Sequence, residues 1–265
     1  MKKEQKKKKS IGKKLSTLGL IIALGVFLYS AYQLFMIYSE YKQGTDEYDS
    51  LRQYVTEEPA LAAKENAEGE EEAAAAVTPP DVDFASLQAI NPDIIGWLHI
   101  EAIDISYPIV QGEDNDHYLH YTYEGRQNGA GAIFLNYTNS SDFSDPNSII
   151  YGHNMKNGSM FGKLKKFQRE DVYLVSPYFW ICTPDGNYLY EIFSYHTTSA
   201  TGSTYTLFSG PGAEFKAYIE EMKSSSEVAN EVEVTENDKI VTLSTCTGND
   251  AYRFVVQGKR LPEVY

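Results

Sequence analysis

Cys246 closes the run Thr242-Leu243-Ser244-Thr245-Cys246, Arg253 follows seven residues later, and His153 stands far upstream in Ile150-Tyr151-Gly152-His153-Asn154. Together they supply a thiol, a fixed cation and a titratable base. A free cysteine titrates near ~8.5, so only a small fraction is thiolate at neutral pH unless a cation or imidazole favours the charged form. An arginine stays protonated and offers several N–H donors, which suits it to stabilise a thiolate or the oxyanion of a tetrahedral intermediate. A histidine can protonate a departing amine. The chemistry this set can do is acyl transfer through a thioester, provided the chain brings His153 to Cys246.

The elements that must position these groups are strands. Residues 238–246 and 252–257 are rich in β-branched and aromatic side chains and are separated by the turn-prone Thr247-Gly248-Asn249-Asp250, which reads as a hairpin. In the antiparallel register that sets Cys246 opposite Arg253, Ser244 faces Val255 and Thr242 faces Gln257. Directly opposed residues share a face, with Cβ atoms roughly 5 Å apart. Further strand-like runs lie at 94–100, 104–110, 132–137, 147–154, 172–184 and 187–198, punctuated by Pro, Gly and Asn. Many short strands of this kind form a barrel or a sandwich, and closure removes exposed edges. Helical segments are expected at 84–91, capped by Asp83, at 159–167, and at 212–223, where Phe215, Ile219 and Met222 recur at helical spacing.

At these residues the sequence resembles a known family. TLSTC at a strand end, an arginine on the next strand and the upstream segment NSIIYGHNMKNGSMFGKL are similar to the sortases, and most closely to their class B branch; the likeness runs from about Phe84 to the C-terminus. The resemblance implies a mainly β fold, a closed eight-stranded barrel with peripheral helices, held on the outer face of a Gram-positive membrane. It implies a cysteine transpeptidase that cleaves a C-terminal sorting signal of secreted proteins and passes the acyl group to an amine. That amine belongs to a peptidoglycan precursor, or to a pilin lysine if the enzyme polymerises pili. By position, Cys246 is the nucleophile, His153 the acid/base and Arg253 the substrate or oxyanion clamp. Asn115, Leu119, Tyr151, Ser244 and Thr245 match the signal-binding groove, and the helix at 212–223 matches one that walls it. No metal and no organic cofactor is implied. Two departures bear on acceptor choice and groove shape: Thr247 stands where relatives often carry an acidic residue, and the Cys-to-Arg connection is short.

Charge and hydropathy divide the rest of the chain. The 265 residues carry a formal net charge of −14. Residues 1–14 hold eight lysines and one glutamate, +7, which leaves −21 for the remainder. An acidic body without clustered Lys and Arg excludes nucleic acid as a partner. Leu18 to Tyr38 contains no charged side chain over 21 residues, which as a helix spans roughly 30 Å and crosses a bilayer once. The preceding lysines place the N-terminus in the cytoplasm and the domain outside. No small-x-small cleavage site follows, so the segment reads as a retained anchor rather than a cleaved signal. Residues 56–82 are acidic, alanine-rich and nearly devoid of large apolar groups, which reads as a solvated stalk. The expected organisation is a basic tail over 1–17, a membrane helix over 18–38, a juxtamembrane segment and stalk over 39–83, and a catalytic domain over 84–265.

Plainer readings compete at each residue. Cys182 and Cys246 make an even count in an exported chain, which allows a disulfide, although Cys182 lies in the aromatic run YFWICTP, where a thiol acts as a small hydrophobe. His99, His117, His120 and His196 are rivals to His153. His117-x-x-His120 beside Glu113, Asp114 and Asp116 lacks the spacing of a zinc helix and reads as a solvated loop. An arginine on a hairpin of an acidic protein is commonly a surface ion-pair residue. An L,D-transpeptidase also uses Cys, His and Arg, but places His and Gly just before its nucleophile, and a non-catalytic surface-binding module would carry the same anchor, stalk and aromatic β-domain.

Overall fold

A computed structural model describes residues 2–56, 78–229 and 231–264. The expected stalk falls mainly on 57–77, outside the described residues. The chain forms two compact units, Met1–Thr45 and Asp46–Tyr265.

The first unit is one helix. α1 runs Lys2–Ser50 and so continues into the second unit. Along 18–38 its large apolar side chains face outward, Leu20 at 69% and Leu34 at 68% exposure. A helix that is apolar all round belongs in hydrocarbon or in a large core. Among the described residues it is the one helix long and apolar enough to cross a membrane.

The second unit starts with the last turn of α1, where Glu47 and Tyr48 are buried, and a 3-10 turn over Leu51–Tyr54 that buries Leu51. Strand β1 (Val55–Thr56) pairs antiparallel with β2 (Asp81–Val82). α2 (Phe84–Ile90) begins as its sequence dictates: the Ser86 amide donates to the Asp83 carboxylate at 3.0 Å, satisfying one of the helix's free N–H groups.

The barrel strands are β3 (Ile94–Ile100), β4 (Ile105–Val110), β5 (Ile133–Leu135), β6 (Asn147–Tyr151), β7 (Tyr178–Thr183), β8 (Gly186–Ser199), β9 (Ile240–Cys246) and β10 (Tyr252–Val264). They close in the order β10-β8-β7-β3-β4-β5-β6-β9, with β9 returning to β10. The eight-stranded closed barrel expected from the resemblance is the fold. Two pairings, β4 with β5 and β6 with β9, are parallel. Each needs a long crossover. The first crossover contains α3 (His117–His120). The second contains a 3-10 helix over Phe161–Gln168, α4 (Glu170–Val175) and α5 (Ala213–Ser225), along with β7 and β8.

Two segments differ from their sequence reading. Residues 172–184 do not form one strand: α4 occupies 170–175, and β7 begins only at Tyr178. Pro177 explains the break, because the residue before a proline is pushed out of helical conformation, and Ser176 is extended at φ −157° and ψ 106°. The segment at 159–167 is a 3-10 helix starting at Phe161, preceded by Met160 at φ +52°.

β9 is buried along nearly its whole length, from Ile240 to Thr245. One face meets the barrel interior and the other is covered, so its apolar residues run without strict alternation. α5 lays Phe215, Tyr218, Ile219 and Met222 against Phe193 and Ile240, which is the face its spacing predicted. Four polar side chains buried in this region, Asn147, Tyr218, Thr242 and Gln257, are hydrogen-bonded to one another. Thr242 donates to the Asn147 side-chain oxygen at 2.9 Å, and Gln257 Nε2 donates to Thr242 Oγ1 at 3.0 Å and to the Tyr218 hydroxyl at 2.9 Å.

Candidate active site

Cys246 is the last residue of β9 and is directly paired with Arg253 at the start of β10. Ser244 pairs with Val255 and Thr242 with Gln257, the register read from the hairpin sequence. On the other side of β9 the parallel strand β6 sets Tyr151 beside Ser244, and the Gly152 amide extends the ladder by donating to the Ser244 carbonyl at 3.1 Å. Two residues further along each chain stand His153, just past the end of β6, and Cys246, at the end of β9. The backbones of parallel neighbours run roughly 4.8 Å apart, so a separation of 93 residues in sequence becomes a lateral step between strands.

The three side chains line one cavity of about 350 Å³, together with Asn115, Leu119, Phe134, Tyr151, Gly152, Ala200, Tyr205, Ser244 and Thr245. All eight residues singled out from the sequence therefore meet in one place. Phe134, Gly152, Ala200 and Tyr205 were not foreseen as lining residues. Tyr205 comes from a 3-10 turn over Ser203–Tyr205, and its hydroxyl lies 2.8 Å from Ser244 Oγ. Burial pushes the Tyr205 phenol up to about 12, so it remains a neutral donor or acceptor across the physiological range. Its ring stacks with that of Tyr151 at 6.3 Å, and Tyr151 in turn contacts Phe134 at 5.2 Å. An aromatic wall of this kind suits an extended peptide.

The resemblance also led to α5 as a groove wall. None of the residues lining this cavity comes from α5. Instead Tyr218 of α5 donates to the Thr204 carbonyl at 2.8 Å and fixes the turn that carries Tyr205. The helix is a buttress because its apolar face is spent on the core.

Each functional group is held by neighbours. His153 Nε2 lies 2.8 Å from the Leu119 carbonyl. A carbonyl only accepts, so Nε2 carries the hydrogen and Nδ1 is the nitrogen left to exchange a proton. Asn154 Nδ2 donates to the Cys246 carbonyl at 2.8 Å, and Thr245 donates to the Gly152 carbonyl at 2.8 Å, which ties β9 to the His153 segment twice. Arg253 Nη1 donates to the carbonyls of Asp250 and Tyr252 at 2.9 and 3.0 Å, closing the turn after Cys246 while the guanidinium lines the cavity. Asn115 accepts from the Tyr137 amide at 3.0 Å.

Both cysteines are free. Cys182, on β7, is fully buried, and burial pushes its thiol up to about 12, which makes it inert at neutral pH. Among the other histidines, His196 is buried beside Ser194. His117 stacks on Tyr121 and His120 faces Asp116 at 3.8 Å. Among the described residues no group of three His, Cys, Asp or Glu is gathered as a metal site.

The sequence model of the sortase domain matches residues 98–261. The chain belongs to the sortase family. Sortase B of Listeria monocytogenes is 37% identical over 256 residues, covering 95% of this chain and 97% of that protein. Sortase B of Staphylococcus aureus is 29% identical over 241 residues, covering 91% and 92%. Among solved structures, a sortase B from B. anthracis superposes with a TM-score of 0.69 at 31% identity over 85% of this chain and all of that one. A Staphylococcus aureus sortase B–substrate complex superposes at 0.63 and 29% over 67% and 84%. This sortase is thus a cysteine transpeptidase of the sortase B type.

Proposed function

We propose that Cys246 is the nucleophile of this sortase, His153 its acid and base, and Arg253 the clamp on the substrate carbonyl. The observation that carries the reading is the convergence of all three on one cavity from the ends of β9, β6 and β10. The Cys246 thiolate attacks a backbone carbonyl carbon, and the oxyanion forms against Arg253. The C–N bond then breaks, the amine leaves with a proton from His153, and a thioester remains. An incoming amine attacks that thioester, gives its proton to His153, and the thiolate departs. Both half-reactions need one proton carrier, and Nδ1 of His153 supplies it. Asn115, Leu119, Tyr151, Ser244 and Thr245 bind the extended signal.

The substrate on this reading is a secreted protein with a C-terminal sorting signal. The acceptor is the free amine of a peptidoglycan precursor, which makes the reaction an anchoring of that protein to the cell wall. Residues 18–38 of α1 cross the membrane once, with the basic tail in the cytoplasm and the domain over 84–265 outside, as the lysines before the span require. The protein works without a cofactor.

The test uses the full chain in detergent, Asn-Pro and Leu-Pro sorting peptides, and mass spectrometry with and without an added amine, beside Cys246→Ala. Cleavage and amine ligation that vanish in the variant support the reading and identify the signal. Ligation to a pilin lysine in preference to a peptidoglycan fragment turns it into a pilus polymerase. No adduct and no turnover, with Cys246 unreactive, leaves a surface-binding module.

A further inference from the structure

The last turn of α1 is built into the support of the cavity. Tyr48 is 7% exposed, and its hydroxyl donates to the Gly131 carbonyl at 2.6 Å, across 83 residues of sequence. Gly131 adopts φ +56°, and a Cβ placed there would stand 2.9 Å from the Leu119 carbonyl oxygen and 3.1 Å from Cδ2 of His153. The Gly131 backbone is therefore packed against the imidazole and against the carbonyl that holds Nε2. Tyr48 thus bonds directly to the peptide that backs His153.

A second line runs from the same side chain to the nucleophile. The Tyr48 ring meets Tyr107 edge-on at 5.4 Å. The Tyr107 hydroxyl accepts from the Met160 amide at 3.2 Å. Met160 bridges to Asn154, and Asn154 donates to the Cys246 carbonyl. Phe161, next in the chain, donates its amide to the His153 carbonyl at 2.9 Å. The β6–3-10 loop carrying His153 and Asn154 is thus held from Tyr48 on two sides. Its neighbours reinforce the attachment: Leu51 is buried, Arg52 and Lys163 both reach Asp104, and Glu47 lies 3.7 Å from Arg126.

We propose that Tyr48 is a positioning residue of the active site, fixing His153 through Gly131 and the Cys246 segment through Tyr107 and Met160. The inference rests on the reading of Cys246 and His153 given above. It makes the end of the helix that carries the apolar span a working part of the transpeptidase. A packed hydrogen-bonded contact of this kind holds the imidazole within the fraction of an ångström that proton transfer needs.

The experiment compares the full-length wild type, Tyr48→Phe, Tyr107→Phe and Leu51→Ala in detergent, with Cys246→Ala as reference. It reads peptide-cleavage kcat and KM, melting temperature, and the pH profile of Cys246 alkylation by iodoacetamide. Tyr48→Phe keeps the ring and loses one buried hydrogen bond, so kcat falls about tenfold with KM little changed, and the alkylation profile shifts along the pH axis. Tyr107→Phe shifts the same profile. Leu51→Ala lowers the melting temperature but keeps kcat per folded molecule and the profile. Wild-type kcat and profile in both tyrosine variants overturn the inference, and so does a kcat loss that tracks the unfolded fraction, as a merely structural contact would give. A wild type without cleavage above Cys246→Ala overturns the site assignment itself, and the inference with it; an active wild type matched by Tyr48→Phe overturns the inference alone.

Discussion

Tyr151 and Ser244 lie side by side on the parallel strands β6 and β9, and the residues two positions further along each chain are His153 and Cys246. The register of the two strands sets where the loop after β6 begins, and so brings His153 towards Cys246. Shifting that register by one residue would turn Ser244 and Cys246 away from the cavity together, because side chains alternate along a strand.

Replacing Cys246 by Ala lowers transpeptidation by about a thousandfold or more, as for other covalent nucleophiles whose partners act as a unit. Cys182→Ala leaves turnover in place. Iodoacetamide labelling of the folded chain followed by peptide mapping gives one fast thiol, Cys246, and one slow thiol, Cys182. Equal rates at the two sites would contradict the assignment.

Arg253 is fixed by the carbonyls of Asp250 and Tyr252. Arg253→Ala therefore costs about 100-fold or more in kcat from lost oxyanion stabilisation. Arg253→Lys restores little, because a single ammonium cannot close the turn and also face the cavity. Steady-state kinetics of the two variants with one peptide check this; full activity of the lysine variant would remove the need for a planar guanidinium.

Asn154 contributes one hydrogen bond, to the backbone of Cys246. Its replacement by Ala lowers kcat/KM by about tenfold, the usual worth of one such bond. The change falls in kcat rather than KM, since the side chain does not line the cavity.

Gly152 leaves no room for a methyl group: a Cβ there would collide with Ile133 Cδ1 and the Phe161 ring. Gly152→Ala overpacks the seam between β6 and the 3-10 helix and destabilises the fold by about 1–3 kcal/mol, read as a drop in melting temperature. An unchanged melting temperature would mean that Phe161 moves aside freely.

Burial lifts the Glu47 carboxyl above the usual carboxylate range, in spite of the nearby Arg126. A raised folded-state pKa means that the folded chain holds the proton more tightly than the unfolded one. The stability attached to this group is therefore full below the ordinary value of 4.5 and is lost as pH rises through the folded pKa. Glu47→Gln matches the wild-type melting temperature near pH 4 and exceeds it near pH 8. Wild-type behaviour at both ends would show that Glu47 is solvated when α1 docks.

The hairpin register of Cys246 and Arg253 was legible from residue alternation and the TGND turn, because adjacent strands joined by a short turn have few ways to pair. The strand at 94–100, the Asp83 cap and the apolar face of α5 were equally local. The break at Pro177 was carried by the residue before the proline, a signal weaker than the β-rich composition around it. What sequence alone determined, then, was the chemistry, by supplying the thiol, the base and the cation, together with the local elements that hold each of them. Tertiary structure alone decided that β6 runs parallel to β9 and delivers His153, that Tyr205 rather than α5 faces the cavity, and that Tyr48 stands behind the site. These contacts join residues 39 to 93 positions apart. No local propensity specifies such pairs; they are chosen by barrel closure and by the burial of apolar surface, which select among all the pairings that local structure permits.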